Sequence, residues 1–402
     1  MNRFEPNLRL PGPTMLPPTV REAGGRQMTN HRGVEFTAML DRLLARMRPF
    51  FGTTGEVALI SCSGTGGLEA AVVNTVSPGE RVLCVSIGLF GDRFAEIASL
   101  YGADTARLSM EWGRAVDPDQ LRAHLHSHPG YRAVCLTHNE TSTGVLDSLE
   151  TLAAVVREVQ PEALIIVDGV SAVGSVPFKM DEWGIDVAVS ASQKGWMAAP
   201  GLAMVAVSSR AWAQMERTTT PRFYLDLRRY HESQARGMAV WTPAIAVMYQ
   251  LDAALDLMSV EGAEAIFARH EACAAATRAG LEALGFGMFA DPHHYSPTVT
   301  AVRLPDGLDW ETLSRGLAAQ RVIVAGGLGR LAGSIFRVGH LGSVTVGEIL
   351  DTVGALEELS IQLKRGVRPG VGVAAAQAGA LESVCRRPFA PAQTPPDARG
   401  GA

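Results

Sequence analysis

Ser190-Ala191-Ser192-Gln193-Lys194-Gly195-Trp196-Met197-Ala198-Ala199-Pro200-Gly201, taken with Val167-Asp168-Gly169 upstream, is the stretch from which this chain is read. A lysine among small residues, with Ala198-Ala199-Pro200-Gly201 leading straight into another apolar run, is poorly placed for a surface role. It suits an amine that condenses with a carbonyl. Asp168 lies 26 positions before Lys194 (194 − 168), at the end of the run Ala163-Leu164-Ile165-Ile166-Val167. A carboxylate at a strand end is where ligands gather in parallel α/β sheets, although an N-cap or turn role is equally open for this residue alone.

Working outward, short apolar runs recur at Val57–Ser61, Arg81–Ser86, Ala133–Thr137, Ala163–Asp168, Val187–Ser190 and Leu202–Val207. Helical stretches at Gly66–Val76, Asp92–Tyr101, Pro118–His126 and Leu149–Val159 alternate with them. Continuous apolar strands between helices predict a mainly parallel sheet covered on both faces. Asp92 is read as the cap of one helix, and Asp117-Pro118 as a cap followed by proline at the first helical position. After Thr242-Pro243 the pattern changes to long helices near Ala244–Ser259 and Glu261–Leu284. A smaller α+β unit follows, with strands near Thr298–Leu304, Arg321–Ala325 and Ile335–Val338. Its last helix opens on Thr345 with Glu348 three positions on, a capping-box pattern.

The expected organisation is an N-terminal arm over residues 1–20, a large domain over 21–260, a small α+β domain over 261–365 and a flexible Gly/Ala/Pro-rich tail over 366–402. With 402 residues, 47% hydrophobic and 19% charged, the chain has the material for a large core. A net charge of −5 gives no basic footprint for nucleic acid or an anionic membrane. Cys62, Cys84, Cys135, Cys273 and Cys385 are odd in number and scattered, which argues against a disulfide framework or zinc site and for a reducing compartment. With no secretory signal in Met1–Pro6 and no run long enough to span a bilayer, a cytoplasmic protein is expected.

Ser63-Gly64-Thr65-Gly66-Gly67 joins a strand to a helix, so its free N–H groups and hydroxyls form an anion cradle or, on the plainer reading, a simple turn. No lysine follows these glycines, so the P-loop reading fails. A Schiff-base lysine with a carboxylate for a ring nitrogen is the pairing that serves pyridoxal phosphate.

With these segments in place, the chain resembles a class V pyridoxal-phosphate aminotransferase of the alanine–glyoxylate / serine–glyoxylate (serine–pyruvate) branch. Matching segments run from Leu10-Pro11-Gly12-Pro13-Thr14 through Gly88-Leu89-Phe90-Gly91-Asp92-Arg93 and Thr137-His138-Asn139-Glu140-Thr141-Ser142-Thr143-Gly144-Val145 to Gly326-Gly327-Leu328-Gly329 and Phe336-Arg337-Val338-Gly339. The resemblance implies fold type I: an α/β large domain with a mainly parallel seven-stranded sheet, plus a smaller C-terminal α+β domain. It implies that Lys194 is the covalent anchor of pyridoxal 5′-phosphate and that Asp168 pairs with its ring nitrogen. Ser63, Gly64, Thr65 and Gln193 would hold the phosphate, Phe90 and Val170 would lie against the two ring faces, and Thr141 near the ring oxygen. Arg337 would take the substrate carboxylate, Pro11 and Gly12 would line the substrate pocket, and Thr242 would reach the phosphate of the partner subunit in a homodimer. No metal is expected.

Two positions depart from the family pattern. Ala239 stands where some relatives have a tyrosine that also reaches across, with Trp241 nearby as a substitute. His340 is read as a polar residue satisfied in a turn. The expected reaction moves the amino group of alanine or serine to glyoxylate or pyruvate. Three alternatives stay open: an aspartate- or ureidoglycine-specific aminotransferase, a cysteine desulfurase-like lyase, and a non-catalytic cofactor-binding subunit. Desulfurases generally carry His immediately before the lysine, where this chain has Gln193.

Overall fold

The computed structural model of the chain describes residues 5–385; the Pro395–Ala402 terminus and the start of the arm at Met1–Phe4 lie outside the described residues. The large sheet has seven strands in the order Glu56–Ile60, Ala203–Val207, Val187–Ala191, Leu164–Asp168, Ala133–Thr137, Arg81–Ser86, Asp104–Ser109. Ala203–Val207 runs antiparallel to both neighbours, and the other pairings are parallel.

The strands read as unbroken apolar runs because both faces are buried. Along Ala203–Val207, Met204 and Ala206 enter one core, while Val205 and Val207 enter the other. The first core packs under helices Val34–Phe51, Pro118–Ser127, Leu149–Val159 and Ile245–Glu261 through side chains such as Phe36, Leu43, Leu121, Leu152 and Leu255. Burial of each such side chain contributes roughly 1.5–3 kcal/mol. The second lies under Gly64–Thr75, Leu89–Leu100, Ser209–Met215 and Leu227–Gln234.

The seventh strand, Asp104–Ser109, is an edge strand with no fully buried residue, so Asp104, Thr105, Arg107 and Ser109 hide it in the sequence. The helix expected to start at Asp92 starts at Leu89 instead, and Asp92 accepts the Ser86 hydroxyl and pairs with Arg107.

A second sheet of four strands is ordered Asn7–Arg9, Val322–Gly326, Ile335–Gly339, Val299–Arg303. Its first strand comes from the N-terminal arm and lies parallel to Val322–Gly326, with the Asn7 side chain donating to Glu348 O and Thr352 Oγ1. Helix Val346–Gln362 opens with the Thr345/Glu348 capping box, both hydrogen bonds being present.

The segment expected as a flexible tail from residue 366 forms a helix over Val371–Cys385. It packs on Ala263–Ala283 because its small residues permit a close approach, with Ala376 and Ala380 buried. No helix among the described residues is long and apolar enough to cross a membrane.

Candidate active site

The carboxyl ends of Ala133–Thr137, Leu164–Asp168 and Val187–Ala191 meet the N-termini of helices Gly64–Thr75 and Leu89–Leu100 around an open cavity of about 580 Å³. Nine of the residues singled out in the sequence line it: Ser63, Gly64, Thr65, Phe90, Thr141, Asp168, Val170, Gln193 and Lys194.

At the mouth of helix Gly64–Thr75, Ser63 Oγ accepts the Gly66 N–H at 3.4 Å. A Cβ on Gly64 would stand 2.9 Å from Val170 and 3.1 Å from Ala191, so only glycine lets the helix start this close to the strands. The free amides of that first turn favour an anion.

Asp168 ends its strand buried, and its carboxylate accepts the Val170 N–H at 3.0 Å. Burial pushes its pKa up to about 6, opposed by that hydrogen bond and by the nearby Lys194 and Arg93 cations. Lys194 shows the opposite effect: burial brings its ammonium down to about 8, with Asp168 pulling up and Arg337 pushing further down.

The N-terminal arm closes over this lysine. Lys194 Nζ donates to Pro11 O at 2.6 Å, Thr14 N–H to Gln193 O at 3.1 Å and the Thr14 hydroxyl to Lys194 O at 3.2 Å. Pro11 and Gly12 therefore meet the site through Lys194 itself.

Arg337 is buried in Ile335–Gly339, where Nε donates to Gly326 O at 2.9 Å and Nη1 to Thr141 O at 3.0 Å. Nη2 makes no hydrogen bond among the described residues, so one edge of the fork stays available for an anion. Burial lowers the guanidinium pKa to about 10, and Glu140 opposes the shift.

Thr242 does not line this cavity. It is exposed beside a separate cleft formed by Ser61, Ala239, Tyr224, Tyr230 and Trp241. Trp241 stacks on Tyr224 with ring centroids 5.9 Å apart. His340 is fully buried, its ring nitrogens meeting Thr300 Oγ1 at 2.8 Å and Pro297 O at 2.9 Å.

The cavity also takes in Arg93, Asn139 and Ser171, which reading of the sequence left without roles. Arg93 lies over the Phe90 ring at 4.8 Å, and its signal was a cation one helical turn beyond an aromatic. Asn139 Nδ2 donates to Ser171 Oγ and Thr298 Oγ1.

The residues fit pyridoxal phosphate on three observations. Asp168 is an ionisable carboxylate with one hydrogen-bond donor, the helix start offers unpaired amides, and Gln193, which lines the cavity, has an Nε2 that makes no hydrogen bond among the described residues and so can donate to a phosphate.

The chain matches the family model for class V aminotransferases over residues 11–338. It is 42% identical to a protein named soluble hydrogenase, small subunit, from a Synechococcus strain, covering 92% of this chain and 97% of that one. It is 37% identical to L-aspartate–glyoxylate aminotransferase of Paracoccus denitrificans, covering 92% and 94%. Among solved structures, alanine–glyoxylate aminotransferase from Nostoc superposes with a TM-score of 0.85 at 32% identity, covering 89% of this chain and 96% of that one.

Proposed function

The chain belongs to the class V aminotransferases, pyridoxal-phosphate enzymes of fold type I, and from that premise we propose that it moves the amino group of alanine or serine to glyoxylate or pyruvate. The observation that carries the reading is one cavity bordered by Lys194, Asp168 and the phosphate-cradle residues, with Arg337 tied to its wall through Thr141 O. Both named aminotransferase relatives are named for glyoxylate, which supports a small 2-oxo acid as acceptor.

When bound, pyridoxal phosphate supplies an aldehyde carbon and an electron sink. The amine of Lys194 would hold that carbon and, once freed by the amino donor, would carry the proton to and from the substrate α-carbon. Asp168 would keep a negative charge against the ring nitrogen and so hold it protonated. Ser63, Gly64, Thr65 and Gln193 would hold the phosphate, Phe90 and Val170 would confine the ring, and Thr141 would serve its oxygen. Arg337 orients the substrate carboxylate, and the backbone of Pro11 and Gly12 keeps the pocket small. Amino donor and acceptor use the pocket in turn, which gives ping-pong kinetics.

Thr242, exposed and away from its own chain's cavity, is assigned to the phosphate of the partner subunit in a homodimer. The five free cysteines support a cytoplasmic setting.

The test is a matrix of alanine, serine, aspartate, ureidoglycine and cysteine against glyoxylate and pyruvate, with both products and any sulfide quantified. Glycine and pyruvate from alanine and glyoxylate support the reading. Turnover with aspartate alone replaces the donor, and sulfide released from cysteine replaces the reaction class.

A second reading follows the name of the Synechococcus relative: a subunit of a larger assembly. A scaffold has no need for Lys194, Asp168 and Arg337 around one cavity, which favours the enzyme. Co-purification with a stoichiometric partner and no turnover in any cell of the matrix would favour the subunit.

A further inference from the structure

Glu140 is fully buried, yet its side chain is given no role by the reaction above. Its Oε2 accepts the N–H groups of Phe90 at 2.9 Å and Gly91 at 3.2 Å, while Oε1 accepts the Ser142 N–H at 3.0 Å and the Ser142 hydroxyl at 2.6 Å. Ser142 Oγ in turn accepts the Leu89 N–H at 3.0 Å. One carboxylate thus satisfies the first turn of helix Leu89–Leu100 and the tight turn after Asn139–Glu140.

The two segments it joins each carry cavity residues: Phe90 on one, Thr141 on the other. Thr141 O is in turn an anchor of Arg337. Gly88 closes the approach, since a Cβ there would stand 2.4 Å from Glu140 Cγ and 2.6 Å from Ser142 Oγ.

We propose that Glu140 is a positioning residue, whose carboxylate clasps these two segments so that Phe90, Thr141 and, through Thr141, Arg337 keep their places around the cofactor and the substrate carboxylate. The inference rests on the transaminase reading. A carboxylate suits the position because all of its partners donate and it only accepts. A glutamine of the same shape turns an N–H₂ group toward one pair of donors and leaves them unpaired.

The experiment compares the wild-type holoenzyme with Glu140→Gln, Ser142→Ala and Gly88→Ala. It reads the Kd for pyridoxal phosphate, the visible circular dichroism of the bound cofactor, and KM against kcat for the amino donor. Gly88 has an extended φ of 172°, so alanine there tests the steric fit of the clasp without removing its charge.

Glu140→Gln and Gly88→Ala are expected to raise the cofactor Kd and the donor KM by roughly tenfold to a hundredfold and to alter the dichroic band. Ser142→Ala is expected to shift the same readouts less. A Glu140→Gln enzyme with the wild-type band, Kd and KM overturns the proposal. So does a Gly88→Ala enzyme that behaves as wild type, because the carboxylate would then act through charge alone. Should Glu140→Gln fail to fold, the other two variants decide. If the wild-type protein takes up no pyridoxal phosphate, the transaminase reading falls first; a wild type that binds and turns over beside unaltered variants removes only the role of Glu140.

Discussion

Lys194 Nζ donates a 2.6 Å hydrogen bond to the carbonyl oxygen of Pro11, 183 residues earlier in the chain. The arm that makes this contact also supplies the strand Asn7–Arg9 of the small sheet, so the Lys194 amine is gripped by a segment that belongs to the other half of the fold. Gly12 sits at φ +123°, and a Cβ there would stand 2.4 Å from Lys194 Nζ. Gly12→Ala therefore both strains the backbone and displaces the amine. We expect kcat/KM to fall about a hundredfold and cofactor uptake to slow, measured by initial rates and pyridoxal phosphate titration. Wild-type rates in Gly12→Ala would show that the arm does not set the lysine.

The pKa of Lys194, lowered by burial to about 8, fixes a pH window. A depressed pKa means that the neutral, nucleophilic amine predominates above about 8 and is lost below it. The rate at which apoprotein captures pyridoxal phosphate should thus rise about tenfold per pH unit below that value and level off above it. The charged groups facing the amine are Asp168, which pulls its pKa up, and Arg337, which pushes it down. Asp168→Asn should consequently move the midpoint to lower pH. Stopped-flow absorbance over a pH series checks this; a midpoint that moves upward would contradict the assignment of Asp168 as the opposing charge.

Arg337 donates to two backbone carbonyls, Gly326 O and Thr141 O, and its Nη2 makes no hydrogen bond among the described residues. Lysine retains the charge but has no planar fork. Charge-assisted hydrogen bonds contribute roughly 1.5–3 kcal/mol each, so Arg337→Lys should raise the amino-donor KM by about tenfold to a hundredfold with a smaller effect on kcat. Steady-state kinetics separate the two, and an unchanged KM would remove Arg337 from the carboxylate site.

How far the sequence reveals these features follows from how local their causes are. Ala133–Thr137 has the bounds read from its composition, because full burial leaves one uninterrupted apolar run. Asp104–Ser109 has only one covered flank and so looks like a polar loop. The start of helix Leu89–Leu100 is misplaced for a related reason. Asp92 is a plausible cap nearby, whereas the groups that satisfy its N-terminus, Glu140 and Ser142, lie 50 and 53 residues away. Lys194 and Asp168 are legible because small and apolar neighbours set them apart. Arg337 is not, since an arginine near a strand end resembles a surface charge, and only the resemblance singled it out. Arg93 had only its spacing from Phe90 as a signal, and Glu140 acquires meaning from contacts that no spacing encodes.

The helix Val371–Cys385 shows the same gap between composition and contact, and it carries the last prediction. Its alanines and glycines read as tail, but Ala376 is fully buried and a Cβ on Gly280 of the facing helix would stand 3.0 Å from the Ala376 methyl. Glu357 fastens its start by accepting the N–H groups of Gly370, Gly372 and Val373. Such close helix packing leaves no room for a longer side chain. Ala376→Leu should cost about 1–3 kcal/mol through overpacking, lowering Tm by on the order of a few degrees. None of the helix's residues lines the Lys194 cavity, so kcat/KM below the transition should hold at the wild-type value. Thermal unfolding beside an activity assay tests both halves. An unchanged Tm would show that the helix does not seat its alanines against Ala263–Ala283, and a loss of activity at full stability would tie it to the cavity after all.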